Sequence, residues 1–276
     1  MEKPIDRDQL TAWAALWHLD PDGEPFATHS SVLMPAMRDG RPVMLKLTPE
    51  PDEIRGGGLL EWWNGRGAVR VLERDAGALL MERPVGGRSL VEMSTSGHDE
   101  EAIEIICSVA AELHRPLSAP LPPLDPVENL FAPLLASNWD DPLVQTGKRV
   151  ASDLLSNQIE QAPLHGDIQH HNVLDAGDDR WLAIDPKGQF GERTYDFVNL
   201  FRNPNASIGN DPAVLARRME QIERCANLDP HRLAGWIVAF CALCLVWDYY
   251  PQGSSASDRE LANLALAFDV AHTKVT

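Results

Sequence analysis

The sequence predicts an α+β chain in two parts, and three observations carry that reading. Short strands joined by tight turns fill the first eighty residues, a run of helix and strand breakers follows, and helical periodicity dominates the rest. Residues 1–82 read as a small antiparallel sheet with helix. The stretch Arg83-Pro84-Val85-Gly86-Gly87-Arg88 interrupts both periodicities and predicts a hinge over 83–88. Residues 89–276 read as a mainly helical unit.

Taken in order, Gln9 to Leu19 carries apolar residues on one helical face. Ser31–Met37 and Pro42–Leu47 flank Arg38-Asp39-Gly40-Arg41, an Asp-Gly turn between two strands. Asp52 to Trp63 predicts a helix softened by Gly56-Gly57-Gly58. Strands are expected at Ala68–Glu73 and Ala78–Glu82, on either side of the turn Asp75-Ala76-Gly77. Beyond the hinge, His98 to Arg115 places Ile103, Ile106, Ala110 and Leu113 on one face, with acidic residues in its first turn and Pro116 after its end. A proline-rich connector covers 118–126. Helices are expected at Val127–Ala136, Pro142–Asn157, Tyr195–Phe201, Pro212–Ala226, His231–Tyr249 and Asp258–Ala271. Between them, a loop at His165–Asn172 and strands at Asn172–Leu174 and Trp181–Ile184 form one compact insertion.

Composition bounds the function. The 276 residues leave room for about two domains, and 44% apolar with 24% charged content is that of a soluble globular protein. The N-terminal residues lack the basic and apolar segments of a secretory signal. The longest apolar run, Leu233 to Trp247, is too short to span a bilayer and reads as a buried helix. Cys107, Cys225, Cys241 and Cys244 are expected to be small buried hydrophobes in a reducing compartment, since Cys241 and Cys244 lie inside that apolar run and lack the setting of a redox pair. A cytoplasmic protein, a monomer or weak dimer, is the expectation. The formal net charge of −17 disfavours nucleic acid and anionic membranes as partners and favours a cationic small molecule.

The chemistry is carried by His165-Gly166-Asp167-Ile168-Gln169-His170-His171-Asn172. Its H-x-D-x-x-x-x-N spacing is that of the catalytic loop in ATP-dependent kinases and implies phosphoryl transfer. Asp167 can accept a hydroxyl proton. Asn172 and Asp185, the latter at the end of Trp181–Ile184, can hold Mg²⁺ through oxygen. The same residues could be a solvated polar turn, or a zinc or iron site. Against the latter, adjacent His170 and His171 on an extended turn point to opposite sides and cannot readily face one ion. Lys46 lies inside an apolar strand, where it is either an edge lysine facing water or a phosphate-binding cation held by a carboxylate. Glu53 and Glu61 on the following helix are the candidate partners. Eight residues rotate them about 80° apart, so only one can point at the strand. Met81, Glu82, Arg83 and Pro84 would carry backbone groups that meet adenine.

Together, Lys46, the hinge after Met81, His165-x-Asp167-x-x-x-x-Asn172 and Asp185 resemble the aminoglycoside phosphotransferases, which share the two-lobed protein-kinase-like fold. The stretches Trp63–Leu72, Leu164–Asn172, Ile184-Asp185-Pro186 and Tyr195–Pro204 are similar to the branch of aminoglycoside/hydroxyurea resistance kinases, to which streptomycin 6-phosphotransferases belong. The resemblance implies ATP and Mg as cofactors, Asp167 as the base, Asn172 and Asp185 on the metal, Lys46 on the α- and β-phosphates and Glu53 holding Lys46. Glu53 departs from the family pattern, since an acidic residue is expected one turn later, at Gly56. The chain also lacks the G-x-G-x-x-G phosphate loop of protein kinases, and the resemblance implies phosphate contacts from Ser30 and Ser31 instead. Asp196 is expected to bond the catalytic-loop backbone. For a cationic acceptor of the streptomycin type, Glu192 and Asp248 are the candidate carboxylates. The competing readings are a kinase of hydroxyurea or another hydroxylated metabolite, and a nucleotide-binding pseudokinase, which the intact Lys46, Asp167, Asn172 and Asp185 argue against.

Overall fold

The structure is a computed structural model, and it describes residues 7–247 and 254–273. The N-terminal part holds α1 (Arg7–Leu16), β1 (Asp20–Pro21), β2 (Phe26–Ala27), β3 (Val32–Arg38), β4 (Arg41–Leu47), α2 (Pro51–Trp63), β5 (Val71–Asp75) and β6 (Ala78–Glu82). The strands form one antiparallel sheet in the order β1-β3-β4-β6-β5, with β2 also on β3. Period-two alternation divides its faces. Val43, Leu45, Leu47, Ala78 and Leu80 pack with Leu10 and Ala14 of α1, while Leu79 and Met81 join the main core with Leu59, Leu60 and Trp63 of α2. Lys46 and Met44 therefore share the face of β4 turned away from α1. The expectation of a strand from Ala68 is met in two pieces. Ala68 bridges to Ala183 outside the sheet, and β5 begins only at Val71.

The C-terminal part comprises α3 (Leu90–Thr95), α4 (Asp99–His114), β7 (Asp125–Pro126), α5 (Val127–Ala136), α6 (Pro142–Ser156), β8 (Gln161–Leu164), β9 (Val173–Gly177), β10 (Arg180–Ala183) and β11 (Gln189–Glu192). A 3₁₀ helix at Arg193–Phe201 follows, then α7 (Ala206–Gly209), α8 (Pro212–Ala226), α9 (Pro230–Val246) and α10 (Ser254–Thr273). The α9 helix is apolar nearly all round, as a helix packed on every side must be, and it lies against α6, α10 and the 3₁₀ helix. Among the described residues, no helix is long and apolar enough to cross a membrane. Cys107, Cys241 and Cys244 are buried as expected, whereas Cys225 is exposed near the end of α8.

The two parts are tied at several points. Val69 N–H donates to Ala183 O (3.0 Å) and Ala183 N–H to Gly67 O (2.9 Å), so the chain entering β5 pairs with β10. The hinge crosses β9 closely: Gly86 N–H donates to Asp175 O (2.9 Å), and the Arg88 guanidinium grips the Asp175 carboxylate at 3.0 Å. Asp175 is held well below the usual carboxylate range, chiefly by that Arg88 contact.

Candidate active site

The loop between β8 and β9 is shaped by a carboxylate beneath it. Asp196, in the 3₁₀ helix, accepts from His165 N–H (2.9 Å) and Gly166 N–H (2.6 Å), and also meets His114 Nε2 at 2.7 Å. Its position matches the expectation from sequence. His165 then joins this loop to the next one. Its Nε2 lies 2.8 Å from Ile184 O, and its carbonyl accepts from Lys187 N–H at 2.7 Å. Burial lowers the His165 imidazole to about 4, outweighing the pull of Asp196, so at neutral pH it is an uncharged strut.

Asp167 is fixed by two amides. Asn199 Nδ2 donates to its Oδ1 (3.0 Å), and Asn172 Nδ2 donates to its Oδ2 (3.1 Å) and to its backbone O (2.7 Å). Burial pushes the Asp167 carboxyl up to about 6, against the opposing influence of Lys187, Asn172 and Arg202. A carboxylate with that basicity suits proton acceptance near neutral pH.

On the other side of the cleft, two lysines share one glutamate. Lys46 Nζ donates to Glu53 Oε2 and, at 2.8 Å, to Asp185 Oδ1. Lys187 Nζ donates to the second oxygen, Glu53 Oε1, at 2.6 Å. Burial alone would raise the Glu53 carboxyl, but the two ammonium groups outweigh it and hold the carboxyl at about 2. Glu61 instead pairs with Arg74 on the surface (2.7 Å), so Glu53 and not Glu61 faces the strand. The softened helix has a reason. A Cβ on Gly56 would lie 1.8 Å from Pro186 O, and one on Gly188 (φ +65°) would meet the α2 backbone at 2.9 Å. The segment after Asp185 thus packs backbone to backbone on α2, one turn from Glu53, and this brings Lys187 within reach of it.

The residues present fit a divalent cation. Asn172 commits its amide nitrogen to Asp167 and keeps its oxygen; Asp185 commits Oδ1 to Lys46 and keeps Oδ2. Ile184 N–H donates to Asn172 O at 2.9 Å, which holds the two ligand-bearing segments side by side. An amide oxygen and a carboxylate oxygen are hard donors of the kind Mg²⁺ takes, with substrate phosphates and water completing its shell. Among the described residues, no three His, Cys, Asp or Glu side chains gather as a metal-holding set.

Beside Asp167 opens a cleft of about 290 Å³ whose walls include Lys187, Asp52, Asp125, Tyr195 and Trp247. Its two additional carboxylates come from the start of α2 and from β7.

Comparison with known proteins gives the family. The profile of the aminoglycoside/hydroxyurea antibiotic resistance kinases matches residues 16–250. The chain belongs to that family. It is 44% identical over 236 residues to a streptomycin 3''-kinase of Klebsiella pneumoniae, covering 84% of this chain and 89% of that one. It is 28% identical over 249 residues to a streptomycin 6-kinase of Streptomyces griseus, covering 84% and 79%. The aminoglycoside phosphotransferase APH(4)-Ia, solved with ADP and hygromycin B, superposes with a TM-score of 0.61 at 13% identity, over 94% of this chain and 97% of that one. The fold is the two-lobed protein-kinase-like fold, and the protein is a small-molecule kinase that uses a nucleoside triphosphate.

Within this kinase the structure corrects several expectations. Glu192 does not line the cleft. It is fully buried, with Arg232 Nε on its Oε1 at 2.9 Å and Ile159 N–H on its Oε2 at 3.3 Å, because the alternation of β11 turns it inward. Asp248 lies outside the described residues. Ser30 and Ser31 are buried, with their hydroxyls turned inward: Ser30 Oγ donates to Glu53 Oε1 at 3.3 Å, and the Ser31 hydroxyl meets that of Ser30 at 3.5 Å. In the hinge, Glu82 N–H donates to Arg70 O and Arg83 N–H to Pro42 O, so both amides are spent inside the protein, and Met81 is buried in the core. Val85 N–H is the first amide beyond β6 that makes no hydrogen bond among the described residues. Sequence reasoning missed Lys187, Asn199, Asp52 and Asp125. The pairing of Gly56 with Gly188 was the available signal for Lys187; nothing local marks the others.

Proposed function

We propose that this kinase transfers the γ-phosphoryl group of ATP, as its Mg²⁺ complex, to a hydroxyl of a streptomycin-type aminoglycoside. The observation that carries this reading is Asp167, fixed by two amides, raised toward neutrality and opening onto a cleft that also holds Asp52 and Asp125. The level of identity to the streptomycin 3''-kinase, against that to the 6-kinase, favours the 3''-hydroxyl as acceptor. Residues 1–82 and the hinge hold the nucleotide, and residues 89–276 hold the acceptor together with Asp52 at the start of α2.

In the transfer, the acceptor oxygen forms its bond to phosphorus while the bond to the ADP oxygen breaks, and the hydroxyl proton passes to Asp167. Asn172 and Asp185 would hold Mg²⁺, which when bound would neutralise the phosphate oxygens. Lys46 contributes a fixed cation for the nucleotide phosphates, with Glu53 holding it. Asp52 and Asp125 attract the guanidinium or amine groups of the acceptor through charge-assisted hydrogen bonds.

The test is incubation with Mg·ATP and a panel of streptomycin, other aminoglycosides and hydroxyurea, read by ADP release and product mass. Streptomycin should gain one phosphate, mapped to the 3''-oxygen by NMR. Phosphorylation of hydroxyurea with streptomycin left unmodified would refute the aminoglycoside reading.

A further inference from the structure

Phosphoryl transfer spreads negative charge over the oxygens of the moving group, and positioned cations must meet it. The catalytic loop of this chain brings none. Residues 165–172 contain no lysine or arginine, and His165 and His170 are buried away from the cleft's solvent. Lys46 is 5% exposed and held between two carboxylates, those of Glu53 and Asp185. Lys187 differs on each count. Its side chain is 24% exposed, it lines the cleft with Asp167, and its ammonium bonds one oxygen of a glutamate whose other oxygen belongs to Lys46. Glu53 and Asp185 balance the two lysines, and of the two ammonium groups it is that of Lys187, bonded to Glu53 alone, that reaches the cleft beside Asp167.

We propose that Lys187 is a second phosphate-binding lysine, which keeps one N–H on Glu53 and presents the others to the γ-phosphoryl group as it passes toward the hydroxyl beside Asp167. An ammonium has three N–H donors, so it need not leave Glu53 to do this. Lys187 forms no covalent bond and loses no proton; the acceptor proton still goes to Asp167. The backbone packing of the 186–188 segment on α2 fixes the lysine's reach, which limits reorganisation during the reaction.

This inference rests on the kinase reading but can fail separately from it, because its main readout needs no acceptor. Affinities of wild type and Lys187→Gln for ADP and for the non-hydrolysable analogue AMP-PNP, each with Mg²⁺, are measured by calorimetry. The variant should bind ADP within about threefold of wild type and lose about tenfold or more for AMP-PNP. Its turnover should fall on the order of 10²-fold, the usual cost of one oriented donor. Lys187→Arg, which keeps the charge, should recover most of the AMP-PNP preference. An equal loss for ADP and AMP-PNP would make Lys187 a support for Glu53 and overturn the proposal, as would unchanged turnover. A second measurement uses wild type alone and does not depend on the variants folding. Lys187 should be protected from a lysine-acylating reagent by AMP-PNP but not by ADP, and equal protection by both overturns the proposal as well.

Discussion

Glu53→Gln removes the charge that both lysines share while keeping the shape of the side chain. A carboxyl held at about 2 instead of its ordinary 4.5 is stabilised in its charged form by ~3 kcal/mol, at about 1.36 kcal/mol per pH unit. Because Glu53 is buried beside its partners, solvent screening does not discount that figure. The folded-state value is depressed, so the contribution is fully present above the unfolded value of 4.5 and is lost as pH falls toward about 2. Urea unfolding followed by tryptophan fluorescence should therefore show the variant ~3 kcal/mol less stable than wild type from pH 6 to 8. At pH 3.5 the gap should narrow by about 1 kcal/mol. Its apparent Michaelis constant for ATP should rise by about an order of magnitude, since Lys46 loses the carboxylate that aims it. Glu61→Gln, at an exposed pair with Arg74, should stay within about 0.5 kcal/mol of wild type and keep its ATP dependence. If the two variants cannot be told apart in stability or in ATP dependence, the shared-glutamate reasoning is wrong.

Three further predictions address the base, the backbone contact and the acceptor. With the Asp167 carboxyl at about 6 and its ionised form required, kcat/KM for the acceptor should fall about tenfold per pH unit below 6 and level off above 7; Asp167→Ala should abolish that dependence together with transfer while retaining Mg·ATP binding, and a flat wild-type profile from pH 5 to 8 would count against this assignment. Gly56→Ala ought to strengthen an isolated helix by about 1 kcal/mol, yet its Cβ would sit 1.8 Å from Pro186 O; a net loss of about 2 kcal/mol or more in thermal unfolding is expected, and a stabilised variant would contradict the packing described. Asp125→Asn should raise the Michaelis constant for streptomycin several-fold and weaken its salt dependence, with intrinsic ATP hydrolysis unchanged; identical salt profiles for variant and wild type would remove Asp125 from the acceptor site.

The residues legible in the sequence were those whose roles are set by local spacing. His165, Asp167 and Asn172 lie on one eight-residue loop, Asp185 ends a short strand, and Lys46 interrupts an apolar strand, so each announces itself within a few neighbours. Helical phase correctly separated Glu53 from Glu61. The failures have a common cause, which is that acidity and hydroxyl chemistry do not reveal which way a side chain points. Glu192 was read as a substrate carboxylate because β11 was not foreseen, and without that strand its inward register and its pairing with Arg232 were invisible. Ser30 and Ser31 were read as phosphate contacts because the turn's burial depends on α2 closing over it. Tyr195 to Phe201 was expected as a helix but is the last part of a 3₁₀ segment, and that tighter turn places Asp196 under the loop and Asn199 on Asp167.

The ion pairs at the centre also bear on how the two halves work as one. Glu53 and Lys46 belong to the N-terminal part, and Asp185 and Lys187 to the C-terminal part, so both the Lys46–Asp185 and the Glu53–Lys187 pairs cross the cleft. Lys46, Asp185 and Lys187 are thus linked through a single carboxylate, that of Glu53. The excess acidity of the chain does not reach this centre unopposed, because charges beyond roughly 8 Å are largely screened at physiological ionic strength while buried pairs are not. On the proposed reading, a chain of net charge −17 binds an anionic nucleotide through the buried Lys46 and the half-buried Lys187 and still attracts a cationic acceptor to the carboxylates of the same cleft. The two demands conflict only if charge is averaged over the whole molecule, and the shared glutamate is the point at which they are separated.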